Sequence, residues 1–171
     1  MDSDGYLSQL ADIFNGITVN TPSISAIIAI ALAGVLLLAS GFASASEIAF
    51  FSLSPSDRND IDERNHPSDE KISALLGDSE RLLATILITN NFVNVTIIML
   101  CNFFFMNVFI FHSPLAEFLI LTVILTFLLL LFGEIMPKIY SAQKTLAFCR
   151  FSAPGIYYLE KIFLSLIHIS E

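Results

Sequence analysis

The sequence predicts an all-α membrane protein with three transmembrane helices and short cytoplasmic juxtamembrane helices. Of its 171 residues, 55% are hydrophobic and 14% are charged, whereas a soluble domain carries about 25% charged residues. Charged residues are nearly absent from three long blocks, and each block exceeds the roughly 20 residues that a helix needs to cross the hydrocarbon core. Lipid is therefore the predicted solvent for most of the chain.

The three apolar blocks cover about residues 24–51, 82–111 and 115–139. Only a His-Ser-Pro sequence separates the second block from the third, so these two spans are predicted to form an antiparallel hairpin with a tight turn. The tail before the first block, residues 1–23, contains acidic residues and no Lys or Arg. A cleavable signal peptide has a basic start, so we expect the first block to be retained as a membrane helix.

Juxtamembrane helices are predicted in the two polar segments. In residues 54–81, a Ser-Pro start and a break at Pro67 indicate two short helices. Residues 141–163 have the pattern of an amphipathic helix on the membrane surface, interrupted near Pro154 and Gly155. A fourth span is the alternative there, which three charged residues disfavour: Arg150, Glu160 and Lys161.

The basic residues predict the orientation of the chain. With three spans, all eight Lys and Arg residues fall on one side of the membrane. The positive-inside rule makes that side the cytoplasm. We therefore expect a multi-pass protein of the bacterial inner membrane, with the lipid bilayer as partner, a periplasmic N-terminus and a cytoplasmic C-terminus.

The composition disfavours other classes of function. A net charge of −8 argues against nucleic-acid binding, which needs a basic surface. Cys101 and Cys149 have no CxxC or His partners, so we expect small buried hydrophobic side chains rather than a zinc or redox site. Neither His66 nor His112 lies in a predicted span, so no nucleophile–base pair is placed in the bilayer and we expect no enzymatic activity.

Polar side chains in the first two spans are candidate functional residues, because they are costly in lipid unless they face a partner. Ser40 and Ser44 lie one helical turn apart on one face. Asn90 and Asn94 share a face in the same way, and amide oxygens are good ligands for hard cations. The alternatives are serines that bond back to their own helix and asparagines whose inter-helix hydrogen bonds only fix packing.

The third span contains a helix break. Pro137 has no N–H, so with α-helical spacing the carbonyl of Gly133 loses its partner. Glu134 places a carboxylate beside it, and broken membrane helices build cation sites in this way. A simple proline kink with a Glu side chain that reaches the interface is the alternative.

Oxygen ligands thus come from all three predicted spans. A set without Cys or His suits a hard cation, either Mg²⁺ with some of its waters or Na⁺. The sequence therefore predicts a metal site, with Pro137 as its structural kink, formed by Ser40, Ser44, Asn90, Asn94, Gly133 and Glu134.

Three motifs carry a resemblance to a known family. FASASEIAFFSLS (residues 42–54), LLATILITNNFVNV (82–95) and FGEIMPK (132–138) are similar, in order and spacing, to the signatures of the CorC/CNNM transmembrane domain. The resemblance covers about residues 24–163. The form SEIAFFSLSP looks most like the gliding-motility-associated GldE-type branch of Bacteroidetes.

The resemblance implies a homodimeric magnesium transport domain with a dehydrated Mg²⁺ site open to the cytoplasm. It implies these ligand candidates: Ser40, Ser44, Asn90, the Gly133 carbonyl and Glu134. Family members continue into a pair of CBS domains that bind ATP and a small C-terminal domain, which this sequence lacks. The family usually has Gly before the second-span Asn, whereas Thr89 stands here, which would narrow the site or add a hydroxyl ligand.

The last residues, 164–171 (LSLIHISE), resemble the translation of a sequencing adapter. This predicts a truncated chain whose natural sequence differs after about Phe163; a genuine helix end is the alternative. Two functions are predicted for the whole: Mg²⁺ transport, or a non-transporting membrane subunit of gliding-motility or secretion machinery that supports an envelope lipoprotein.

Overall fold

Three long apolar helices form the body of the protein in the computed structural model, which describes residues 17–111 and 113–168. All three are long and apolar enough to cross a membrane. The chain is therefore a multi-pass, all-α membrane protein, and the predicted fold class is confirmed. Within the described residues the elements follow the order β1 Ile17–Val19, α1 Ile24–Phe51, α2 Pro55–Asp62, α3 Asp69–Leu76, α4 Ser79–Val108, β2 Phe109–Phe111, α5 114–143 and α6 Thr145–His168.

Polar caps fix the starts of three helices. The Ser23 hydroxyl accepts the Ala26 N–H at 3.2 Å at the start of α1. At the start of α2, Ser54 and Asp57 each accept the backbone N–H of the other with their side chains. Asp78 caps α4 in the same manner. Such caps contribute about 1 kcal/mol each, and the cap at Asp78 starts α4 before the predicted second span.

α1 occupies the centre of the bundle, and α4, α5 and α6 all pack against it. One apolar core lies at the end of the bundle where the juxtamembrane helices pack, and it includes Phe50, Leu75, Ile86, Cys149 and Ile156. A second core lies within the spans and consists of Ala33, Val93, Ile97, Cys101 and Leu129. Both cysteines are buried and free, as the sequence predicted.

A small antiparallel sheet closes the opposite end of the molecule. Ile17 pairs with Phe111 and Val19 with Phe109. The helical part of the second span therefore ends at Val108, and the prediction of helix to residue 111 is wrong. Pairing of the aromatic strand β2 with β1 satisfies its backbone groups outside a helix, while His112 of the predicted turn lies outside the described residues.

α5 departs from regular α-helical geometry. Two π-helical stretches, Leu119–Ile124 and Leu130–Ile135, alternate with α-helical ones, and the helix continues through Pro137 to Gln143. A π-helical turn widens the hydrogen-bond ladder by one residue and is frequent at functional sites. The sequence predicted only the proline kink.

α6 runs without a break over Thr145–His168 with Pro154 inside it, so the interruption predicted near Pro154 and Gly155 is wrong. The face of α6 that includes Ala153 is buried, and a Cβ atom added to Gly155 would lie 3.1 Å from the Phe42 ring. This close packing offsets the hydrogen bond that the proline removes.

The connection between α5 and α6 is short, since Lys144 alone separates the two helices. α6 packs along α3 as well as α1. Among the described helices, α6 is not one of the three that are long and apolar enough to span a membrane. The alternative of a fourth span is therefore not supported.

A buried ion pair joins α3 to α6. Arg150 donates from Nε to Asp69 Oδ1 at 2.8 Å and from a terminal nitrogen to Oδ2 at 3.0 Å. Asp69 is fully buried and also accepts the His66 N–H at 2.9 Å. Burial alone raises the pKa of Asp69, but the hydrogen bonds and the charge of Arg150 hold it below its ordinary value of 3.8.

Asp69→Asn should destabilise the protein near neutral pH and reduce its sensitivity to acid. Because the folded-state pKa of Asp69 lies below 3.8, the ion pair stabilises the fold above that pH and loses this effect as the pH falls below it. Loss of one partner of a fully buried pair costs about 3–5 kcal/mol and of an exposed pair about 0–1 kcal/mol; the expected loss lies between these values, because the Arg150 side chain is 22% exposed. Thermal unfolding in detergent, followed from neutral to acidic pH, measures both effects.

Asp78→Asn is the matched control for this prediction. Asp78 pairs with Arg81 at 3.3 Å, but both side chains are about half exposed, and Asn also serves as a helix cap. Exposed pairs contribute about 0–1 kcal/mol, so this variant should unfold near the wild-type temperature. Equal losses in the two variants would contradict the assignment of Asp69 and Arg150 as a buried pair.

Candidate functional site

Polar side chains from α1, α4 and α5 meet inside the bundle. The Ser40 hydroxyl faces Asn90 Oδ1 at 3.0 Å and Asn94 Oδ1 at 2.6 Å. The Asn94 amide nitrogen donates in turn to Glu134 Oε1 at 3.4 Å. We call these four residues the polar cluster; it connects all three spans.

The polar cluster is shielded from lipid. Ser40 is fully buried and Asn90 is 7% exposed, while Asn94 and Glu134 are partly buried. A buried polar group costs free energy unless it is hydrogen-bonded. The bonds between helices explain how these groups are accommodated at membrane depth.

Two amide oxygens converge on one hydroxyl within this cluster. The Ser40 hydroxyl has one hydrogen, yet two amide oxygens lie within hydrogen-bond distance of its oxygen. The Glu134 carboxylate adds two oxygens, one of which accepts from the Asn94 amide. Oxygen atoms that converge in this way are the kind of ligand that a hard cation accepts.

Ser44 lies one turn along α1 from Ser40 and differs from it in one respect. Its side chain is fully buried, and its hydroxyl has no hydrogen-bond partner within the part of the chain that the structure describes. A buried polar atom without a partner costs about 1–3 kcal/mol. The Ser44 oxygen is therefore not engaged by another described side chain or backbone group.

The alternatives from the sequence can now be compared with the structure. Ser46 bonds back to the Phe42 carbonyl at 2.7 Å, whereas Ser40 bonds across to α4, so the back-bonding alternative does not describe Ser40. The inter-helix bonds of Asn90 and Asn94 are present. These bonds both fix the packing and hold the amide oxygens in place.

Two glycines allow α1 and α5 to come into contact. A Cβ atom on Gly133 would lie 3.1 Å from the Ser40 hydroxyl, and one on Gly41 would lie 3.0 Å from Cγ of Pro137. Both distances are shorter than ordinary carbon contacts of about 3.5–4.0 Å. Gly133 is therefore part of the wall around the polar cluster, while its predicted function as a carbonyl ligand stays a prediction.

The π-helical register changes which carbonyl faces the missing N–H of Pro137. The Met136 N–H bonds to the Leu131 carbonyl, five residues earlier. In the same register the carbonyl opposite Pro137 is that of Phe132, and it lies toward Gly41. The sequence prediction assumed α-helical spacing and named the Gly133 carbonyl instead; it stays a prediction, and the π-helical register adds the Phe132 carbonyl beside it.

The Thr89 side chain bonds back to its own helix. Its hydroxyl donates to the Thr85 carbonyl on its own helix at 2.7 Å. The neighbouring Asn91 points away from the bundle and is exposed. The amide ligands of the candidate site are therefore those of Asn90 and Asn94.

Sequence reasoning missed two contacts that frame the site. The Ser141 hydroxyl donates to the Ala45 carbonyl at 2.6 Å and ties the end of α5 to α1. Lys138 forms an ion pair with Glu47 at 3.1 Å. The charges of Lys138 and Glu47 were visible in the sequence, but their pairing depends on how α1 and α5 pack.

No group of three or more His, Cys, Asp or Glu side chains that could hold a metal occurs in residues 17–111 and 113–168. Metal binding in these residues would have to rest on hydroxyl, amide and carbonyl oxygens with few carboxylates. The polar cluster and Ser44 have this composition.

Comparison with known proteins places the chain in a family. Residues 30–170, which include every residue of the candidate site, match the family described as the cyclin M transmembrane N-terminal domain, CNNM. The chain is a CNNM domain. It is also 31% identical over 133 residues to a UPF0053 protein of Haemophilus influenzae (strain Rd). The alignment covers 78% of this chain and 31% of that protein, so the chain spans about a third of its relative's length.

The CNNM match also extends over most of the predicted adapter-derived tail, and α6 continues to His168. The truncation and the resemblance to the GldE-type branch stay predictions.

Gly41→Ala should destabilise the CNNM domain, whereas Gly34→Ala should not. The added methyl at Gly41 would lie 3.0 Å from the Pro137 ring, but nothing lies within 4 Å of the position at Gly34. Overpacking costs about 1–3 kcal/mol, while Ala in a helix is favoured over Gly by about 1 kcal/mol. Thermal unfolding in detergent should show opposite shifts, and equal shifts would contradict the close α1–α5 contact.

Ser40→Ala and Ser44→Ala should also differ in stability. Ser40→Ala removes the hydrogen shared by Asn90 and Asn94 and should cost about 1–3 kcal/mol. Ser44→Ala removes an unpartnered hydroxyl and should be neutral or stabilising. The measurement is again thermal unfolding, without added divalent cation, and a large loss for Ser44→Ala would show that its hydroxyl has a structural partner.

Proposed function

We propose that this CNNM domain is the transmembrane part of a divalent cation transporter, and that it binds Mg²⁺ between α1, α4 and α5. The observation that carries the proposal is the convergence of two amide oxygens on the buried Ser40 hydroxyl. The metal ligands would come from the polar cluster, Ser44 and the backbone of Gly133.

Binding would use the mobility of a hydroxyl hydrogen. The Ser40 hydrogen can rotate away, which leaves its oxygen and the two amide oxygens directed at one point. The Ser44 oxygen, which has no other partner in the described chain, is available one turn away. Mg²⁺ needs octahedral oxygen coordination and usually keeps several waters, so the protein need not supply every ligand.

The charge arrangement supports a cation at this position. Lys138 follows Glu134 by one helical turn, a spacing at which the two side chains could pair. Instead the Lys138 ammonium lies 3.1 Å from Glu47. The Glu134 carboxylate is therefore left to face the Asn94 amide and to compensate part of the charge of a bound cation. Na⁺ is the other hard cation that this oxygen set would accept.

We propose in addition that the whole protein is a homodimer of the bacterial inner membrane, with its N-terminus in the periplasm and ATP-binding CBS domains after the CNNM domain. Support for the orientation comes from the basic residues, which precede α4, lie in its first turn or follow the apolar part of α5. Support for further domains comes from the relative's length, of which the aligned region is 31%.

Mg²⁺ should raise the unfolding temperature of the purified chain, and Ser44→Ala should abolish this rise without loss of stability. A ligand at about 100 times its Kd stabilises the folded state by about 2.7 kcal/mol. MgCl₂, NaCl and choline chloride are compared at equal ionic strength, so that screening is held constant.

Asn90→Ala and Asn91→Ala form the matched pair. Both remove an Asn side chain from adjacent positions of α4, but only Asn90 belongs to the polar cluster. The response to Mg²⁺ should be lost in Asn90→Ala and kept in Asn91→Ala. An equal Mg²⁺ response in wild type, Ser44→Ala and Asn90→Ala would overturn the proposed site.

Ion flux distinguishes binding from transport. In proteoliposomes of the full-length protein, Mg²⁺ flux should fall in Ser44→Ala and Asn90→Ala. Intact flux in both variants would contradict the transport mechanism. Absence of binding and flux in the wild type, together with loss of gliding or envelope lipoprotein assembly in a deletion strain, would instead assign the non-transporting function.

A further inference from the structure

A lateral groove opens between α1, α5 and α6, on the far side of Gly41 and Pro137 from the polar cluster. Its volume is about 540 Å³, and apolar side chains form most of its wall, among them Leu38, Phe42, Met136, Phe148 and Phe151. Sites for small apolar ligands have volumes of about 300–1,000 Å³. Since α1 and α5 cross the membrane, the groove opens toward the acyl chains of the bilayer.

The groove continues into a second cavity at the end of α5. This cavity has a volume of about 290 Å³ and is lined by Lys144 and Ala147, together with Tyr140, Phe148 and Phe151 of the first groove. The apolar groove therefore leads to a basic residue at the α5–α6 junction. The two cavities together have the polarity profile of a phospholipid, apolar along the chain and charged at the head.

The charge near this opening is positive. Lys144 is exposed and forms no ion pair with any residue that the structure describes, whereas Lys138 is neutralised by Glu47 at 3.1 Å. No Asp or Glu lines either cavity. Tyr and Lys at the end of a span are typical of the headgroup layer, and basic pockets between membrane helices bind anionic headgroups.

We propose that this groove binds one anionic phospholipid from the leaflet on the side of the juxtamembrane helices. An acyl chain lies along Leu38, Phe42 and Met136, and the phosphate pairs with Lys144. Tyr140 lies at the boundary between the two cavities. The proposal is independent of cation transport, because it uses none of the residues of the candidate cation site.

Tryptophan fluorescence provides the test, because the chain contains no Trp. Leu38→Trp places a reporter at the rim of the groove, where Leu38 is 77% exposed. Leu32→Trp is the matched control on the same helix, at an exposed position outside the groove. Both variants of the full chain are reconstituted in phosphatidylcholine vesicles with a small fraction of brominated phosphatidylglycerol or brominated phosphatidylcholine, which quench Trp on contact.

Brominated phosphatidylglycerol should quench Leu38→Trp more strongly than brominated phosphatidylcholine does, with a preference of about fivefold in apparent affinity, as expected for one Lys near the surface. Leu32→Trp should show no preference. Adding Lys144→Gln to Leu38→Trp should remove the preference. Adding Lys161→Gln instead should keep it, because the Lys161 ammonium lies over the Tyr157 ring at 4.6 Å, away from the groove.

Two results would overturn the proposal. Equal quenching of Leu38→Trp by the two brominated lipids would show ordinary contact with bulk lipid. Quenching of Leu32→Trp but not of Leu38→Trp would show that protein, such as a second copy of the chain, covers the groove.

Discussion

Close packing on the small-residue face of α1 is the constraint on which the rest of the structure depends. Every buried residue of α1 except Phe50 is Ala, Gly or Ser. Lipid chains are as apolar as the helices, so membrane helices associate through close van der Waals contact and hydrogen bonds between them. A face without bulky side chains lets α4, α5 and α6 approach α1 from different sides. Among the described glycines, Gly41 has the tightest surroundings, because a Cβ atom there would lie closest to a neighbouring side chain, the Pro137 ring.

The same face determines where polar groups can reside. Ser40 and Ser44 are fully buried because they lie on the small-residue face of α1, which the neighbouring helices cover. The Ser40 hydroxyl meets the amide oxygens of Asn90 and Asn94 on α4, and Asn94 in turn contacts the Glu134 carboxylate of α5. Tight packing and the candidate cation site are therefore consequences of one sequence feature, and a bulky residue on this face would disturb both.

The sequence was sufficient for features that depend on local patterns, and insufficient for those that depend on tertiary contact. The three spans follow from apolar length, and the shared face of Asn90 and Asn94 follows from their spacing. The π-helical register at Met136 was not predictable, because it depends on the fit of α5 to α1. The pairing of Asp69 with Arg150 joins residues 81 positions apart, and α6 stays helical through Pro154 because the surrounding packing outweighs the local preference.

The single-residue connection at Lys144 couples the position of α6 to that of α5. Because one non-helical residue separates them, the end of α5 and the start of α6 stay close together, and a change in the angle between the two helices has to be absorbed by the backbone around Lys144. The ion pair between Arg150 and Asp69 holds α6 against α3, close to Lys144. A shift of the end of α5 would therefore also shift the start of α6, whose position is restrained further by its ion pair with α3.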